Sequence, residues 1–114
     1  WLPVGMVLLG LERVVPTLTL VSAEHALAAG AVGSMTLAVM TRASLGHTGR
    51  ALTAGPVTVI IYVLVTLGAL LRVTAYALPM DPLAALGAGG TLWAGAFLLY
   101  ALRYAPILAR ARAG

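Results

Sequence analysis

The sequence has no cysteine, no lysine and few charges of either sign. Without Cys there is no disulfide, no thiolate-held zinc or iron–sulfur cluster and no thiol nucleophile, so redox chemistry does not reveal the compartment. Charged residues make up 9% of the 114-residue chain, against about 25% in a typical soluble domain. Seven basic and three acidic side chains cannot coat a water-soluble domain of this size, which argues against an ordinary cytosolic enzyme. The motifs of common enzymes are absent too. There is no HExxH, no Gly-rich phosphate loop and no Ser-His-Asp set in a nucleophile context.

What remains is apolar. Hydrophobic residues are 61% of the chain, the mean hydropathy is +1.03, and 13 glycines accompany abundant Ala. This composition predicts an all-α, polytopic transmembrane helical bundle, with small residues for close helix packing. The net charge of +4 does not indicate nucleic acid, because the arginines punctuate apolar runs and form no basic face. The expected surroundings are membrane lipid.

Four apolar segments are expected. The first, residues 1–11, is too short at about 1.5 Å per residue to cross a core of about 30 Å. It reads as a partial span ending before Glu12-Arg13, in preference to one running on through Pro16 to Val21, which would place Glu12-Arg13 in mid-membrane. The second covers residues 23–43, with Ser22 as N-cap, Glu24 in the first turn, Arg42 in the last and Gly46 just beyond. The third covers residues 56–71, with Thr53 as a possible cap. Its run Val57-Thr58-Val59-Ile60-Ile61 would suit a strand in water, but its length and neighbours favour helix in a membrane. The fourth covers residues 82–104, opened by the cap pair Asp81-Pro82 and closed by Pro106 and a basic tail over residues 105–114.

The connections imply an orientation. Arg42 and Arg50 follow the second segment; Arg103, Arg110 and Arg112 end the fourth. Two crossings separate these groups, so they share a side. Arg13 and Arg72 lie opposite with Glu12, Glu24 and Asp81. The positive-inside rule puts the Arg-rich side, and the C-terminus, in the cytoplasm. Tyr62, Tyr76, Trp93, Tyr100 and Tyr104 are candidates for interface or packing roles. Two stripes of small residues, Ala26-x3-Gly30-x3-Ser34 and Gly87-x3-Thr91-x3-Gly95, are candidate helix contacts.

Chemistry-bearing residues are few. His25, near the mouth of the second helix, is the candidate metal ligand: the helix dipole there favours a neutral imidazole, although Glu24 opposes that bias. Haem iron or copper would suit such a ring; a His bonded to a carbonyl or water is the plainer alternative. Arg42 stands about 25 Å beyond His25 along a continuous helix, and His47 further still. The two histidines therefore cannot hold one ion, and any second ligand must come from outside these residues. Met35 and Met40 are rotated from His25 by about 80° and 60° at about 100° per residue and lie more than two turns away, so neither can share an ion with it, and both read as gap-filling core. In the loop from Ser44 to Arg50, His47 and Arg50 could hold a haem propionate or another anion. The alternative is an ordinary turn between helices.

The run from His25-Ala26-Leu27 through Thr41-Arg42 to Gly46-His47-Thr48-Gly49-Arg50 resembles the signature of the NnrS family. So do Ala69-Leu70-Leu71-Arg72, Leu92-Trp93-Ala94-Gly95-Ala96-Phe97 and Arg103-Tyr104-Ala105-Pro106. The resemblance covers nearly the whole chain, and His25, Met35, Arg42, His47 and Arg50 match it position by position. It implies the C-terminal transmembrane region of a multi-pass protein of the bacterial inner membrane, completed by N-terminal helices of the same protein. It also implies haem and copper as cofactors and a link to nitric oxide, nitrosative stress and denitrification. No catalytic residue is assigned within these segments. Two other functions stay open: protection from nitrosative stress by binding iron or its nitrosyl complexes, and transport along a polar path lined by His25 and Arg42.

Overall fold

The apolar runs become helices in the computed structural model, which describes residues 1–110; Arg112 and the rest of the expected basic tail lie outside them. Helix α1 covers Leu2–Leu11 and leaves Glu12 and Arg13 beyond its end. Helix α2 covers Leu20–His47, α3 covers Pro56–Thr74 and α4 covers Pro82–Ala109. The last three are long and apolar enough to cross a membrane, while α1 is a shorter apolar helix. Most of their backbone polar groups are satisfied within each helix, as hydrocarbon demands. That demand overrides the β-branched preference of residues 57–61.

Four of the eight helix ends, the start of α2 and the ends of α2, α3 and α4, fall beyond the limits expected from the sequence. Thr19, not Ser22, caps α2: its backbone is extended (φ −109°, ψ 156°) and its hydroxyl accepts the Ser22 N–H. Ser22 is already helical and instead shares a 3.1 Å hydroxyl bond with Thr19. At the other end, the N–H of Arg50 reaches Leu45 O at 2.9 Å and that of Gly49 reaches Gly46 O at 3.1 Å. Gly49 has φ 68°. This is a Schellman stop with Gly49 as the left-handed residue, so Gly46 is inside the helix and not past it. Helix α3 starts from Gly55 with no side-chain cap, which removes the role proposed for Thr53. At α4 the reading holds: Asp81 Oδ2 accepts the Ala84 N–H at 3.0 Å, and Pro82 follows. The helix then passes through Pro106 to Ala109. Proline so close to the end removes only one intrahelical donor, and Ile107 beyond it is buried.

Side chains from α2, α3 and α4 make one core: Leu37, Ile61, Val65, Ala96, Tyr100, Tyr104 and Ile107. The described residues measure 57 × 26 × 18 Å. Only 22–33% of each long span is buried, and Leu83, Leu98 and Leu102 are among the exposed apolar side chains. Water would not tolerate so much exposed apolar surface; lipid does.

The closest approach is between α3 and α4. A methyl on Gly68 would fall 2.7 Å from Gly89 O, and one on Gly89 would fall 2.8 Å from Gly68 O. Neither glycine belongs to the two stripes singled out from the sequence. The α2 stripe does pack, since Gly30 lies against the Trp1 ring. The α4 stripe does not: a methyl on Gly87 or Gly95 would meet nothing within 4 Å, and Thr91 donates to its own Gly87 O. The stripe faces outward because α4 uses its other side, through Gly89 and Trp93, to meet α3. Met40 packs against the core as expected, but Met35 is 63% exposed and fills no gap.

Candidate functional site: a histidine–arginine pair beside a wide helical turn

His25 lies one turn deeper than its sequence position suggested. With Thr19 as cap, it is the sixth helical residue of α2. The dipole argument for a neutral ring weakens there, because the effect is confined to the first turn. A different contact decides its state. Arg72 Nη2 lies 3.0 Å from His25 Nε2. A guanidinium has only donors, so Nε2 must accept and the ring proton sits on Nδ1. That Nδ1 is buried and has no partner among the described residues.

The pair is built by three helices. Arg72 is in the last turn of α3, where the helix dipole favours a cation. Its stem and head lie over Gly89 and Gly90 of α4, where added methyls would fall 2.8 Å from Arg72 Cγ and 2.9 Å from Nη1. Any larger side chain there would displace the guanidinium. Arg72 therefore spans from α4 to α2.

Immediately after His25 the helix widens. Ala26–Val32 form a π-helical segment, and the Gly33 N–H bonds Ala28 O, five residues back. Returning from that spacing to ordinary α-helix leaves a carbonyl short of a donor. Ala29 O is the next carbonyl, and it accepts from Trp93 Nε1 of α4 at 3.0 Å. Gly33 makes room for the indole: a methyl there would fall 2.7 Å from Trp93 Nε1. Trp93 thus packs against the core, as one of its two expected roles, and its indole N–H also satisfies the widened turn.

The other end carries different groups. His47 is exposed, and Arg50 donates from Nη1 to Ile107 O at 3.4 Å. The Gly46–Arg50 loop is a helix stop tied to α4. His47 and Arg50 do not converge on one point with His25. Nor does Arg42, which is exposed and lies at the end of α2 opposite the His25–Arg72 pair. Three hydroxyl pairs knit this end: Thr41–Tyr62 at 3.1 Å, Ser44–Tyr100 at 2.8 Å and Thr58–Tyr104 at 2.7 Å. Tyr62, Tyr100 and Tyr104 are therefore hydrogen-bonded packing residues, while Tyr76 is exposed.

Arg72 is the residue that reading the sequence undervalued. It counted there as a charge on the less basic side and as the end of a family-like run, with no role in the site. The signal available was its position: an arginine directly after the third apolar run, on the same side as His25, is a candidate polar partner for it. Among the described residues no group of three or more His, Cys, Asp or Glu side chains could hold a metal. One imidazole, with its Nε2 already accepting from a cation, does not make a metal centre. The residues present do not fit a haem or copper site by themselves.

The three long apolar helices and their open faces define a multi-span helical membrane protein. The family model "NnrS protein" matches residues 1–112. The chain belongs to the NnrS family, and so to a nitric-oxide-response-associated group of membrane proteins. No curated protein and no solved structure matches the chain.

Proposed function

We propose that this chain is a helical region of a bacterial inner-membrane protein acting in the response to nitric oxide, with the His25–Arg72 pair as its functional polar centre. The observation that carries the proposal is the pair itself. It joins two residues 47 positions apart, Arg72 Nη2 to His25 Nε2, in a chain with few polar groups to spare. Polar groups inside a span are costly and are kept where they act. The adjoining π-helical segment supports the reading, since such wide turns recur at functional sites.

Haem and copper, and a role in denitrification, belong to this proposal through the family. Any cofactor would take its ligands largely from other helices of the full-length protein. His25 contributes only if Arg72 gives up Nε2. Until then Arg72 holds the ring in one tautomer and one orientation, and the pair acts as a fixed donor–acceptor unit.

The test uses the full-length protein in membranes or mild detergent, with metal and haem content and the visible spectrum before and after nitric oxide. His25→Ala and Arg72→Leu should each change the nitric-oxide response or cofactor content without preventing insertion. His47→Ala should leave both in place. If the His25 and Arg72 variants match the parent while the His47 variant loses its response, the functional centre belongs at the Gly46–Arg50 loop.

A further inference from the structure

The Arg-rich end of the molecule holds a cleft that the His25–Arg72 pair does not use. Its volume is about 270 Å³, and Arg42, Thr41, Thr53, Thr58, Tyr62 and Tyr104 supply its polar lining. A water molecule's share of liquid volume is about 30 Å³, so the cleft has room for a phosphate group with part of its ester.

The charges at this end are unbalanced. Arg42, Arg50 and Arg103 lie at this end, while Glu12, Glu24 and Asp81 are at the other. Among the described residues the single ion pair is Arg13 with Glu12, at 4.0 Å. No carboxylate of the described chain neutralises Arg42. Its depth matters as well. Helix α2 has 28 residues and so is about 42 Å long against a core of about 30 Å. If the excess is shared between the two ends, Arg42, five residues before His47, stands at the hydrocarbon boundary. Lipid phosphates occupy the layer just outside.

The hydroxyls leave a proton for a ligand. Thr41 donates to Ala38 O, so Tyr62 must donate to Thr41 in their shared bond. Thr58 and Tyr104 share one bond at 2.7 Å, which uses one of their two protons. Tyr104 is 2% exposed and Thr58 7%. The second proton of that buried pair is free to meet an acceptor in the cleft, and Thr53 adds an exposed hydroxyl. A guanidinium beside surplus hydroxyl donors, with no acid, matches a phosphate oxygen acceptor.

We propose that this cleft is a phosphate-group site, with Arg42 as the charged contact and the Thr58–Tyr104 pair and Thr53 as hydroxyl contacts. An anionic phospholipid headgroup and free inorganic phosphate share that chemistry. The position at the membrane boundary makes the headgroup the expected source, as in basic pockets between spans on the cytoplasmic face.

The experiment titrates the full-length protein in mild detergent with phosphatidylglycerol or with phosphatidylcholine, and counts bound lipids by native mass spectrometry. Phosphatidylglycerol should bind more tightly than phosphatidylcholine. Arg42→Gln should weaken its binding about tenfold, the loss expected for one charge-assisted contact. Arg42→Lys should restore part of it, and Arg110→Gln, which lies off the cleft, should leave it unchanged. Thr53→Val should give a smaller loss; this residue is exposed, so the change does not threaten the fold. Displacement of the lipid by millimolar inorganic phosphate assigns the site to free phosphate; resistance assigns it to the headgroup. The proposal is overturned if Arg42→Gln binds phosphatidylglycerol like the parent, if Arg110→Gln loses as much as Arg42→Gln, or if the two lipids bind equally.

Discussion

Gly68→Ala should destabilise the bundle, whereas Gly95→Ala should not. Both positions are glycines inside apolar helices, and a local view of helix propensity predicts the same gain for both. Ala is better than Gly by about 1 kcal/mol in a helix interior. The packing around them differs. A methyl at position 68 would lie 2.7 Å from Gly89 O, 2.8 Å from Trp93 N and 3.0 Å from Trp93 Cβ. Two of these atoms are backbone, so relief requires α3 and α4 to move apart. Overpacking of this kind costs about 1–3 kcal/mol. Separation would also disturb Arg72, which lies over Gly89 and Gly90 and reaches His25. Set against the propensity gain, the net loss at 68 should be up to about 2 kcal/mol. At 95 nothing lies within 4 Å, so the propensity gain of up to about 1 kcal/mol stands alone. The assay is reversible unfolding of the full-length protein in mixed micelles, followed by tryptophan fluorescence. Equal effects at the two positions, or a loss at 95 with none at 68, would refute the assignment of Gly68–Gly89 as the helix crossing.

Two further outcomes follow from single contacts and a third from the distribution of arginines. Trp93→Phe keeps most of the ring but removes the donor to Ala29 O, and should cost about 1–3 kcal/mol in the same unfolding assay; no change would mean that the wide turn is satisfied without the indole. Thr19→Ala removes the α2 cap and should cost about 1 kcal/mol, whereas Ser22→Ala should cost less, which inverts the ranking expected from the sequence. A reporter fused after Gly114 in the full-length protein should be active only in the cytoplasm, as the arginine asymmetry predicts; periplasmic activity would reverse the orientation proposed for every span.

The sequence alone determined which segments are long and apolar enough to span a membrane, because that capacity is a sum. Apolar side chains are added along one stretch and compared with a slab of known thickness, and no partner helix enters the comparison. The Asp81-Pro82 start was legible for a similar reason, since a cap and the N–H it accepts are three residues apart. Ser22 misled because two hydroxyl residues compete at that mouth, and the backbone of Thr19, not composition, decided between them. The facing of the small-residue stripes was not legible. Gly87-x3-Thr91-x3-Gly95 follows a good packing pattern and faces outward, while Gly68 and Gly89 make the contact without one. A single helix carries several small faces, and only the shape of its neighbour selects one. The same holds for the candidate site. His25 was visible as a rare polar residue, but its partner lies on another helix, and Arg72 reaches it only because Gly89 and Gly90 on a third helix leave room. Sequence spacing measures distance along one helix; it carries no term for side chains that meet across three.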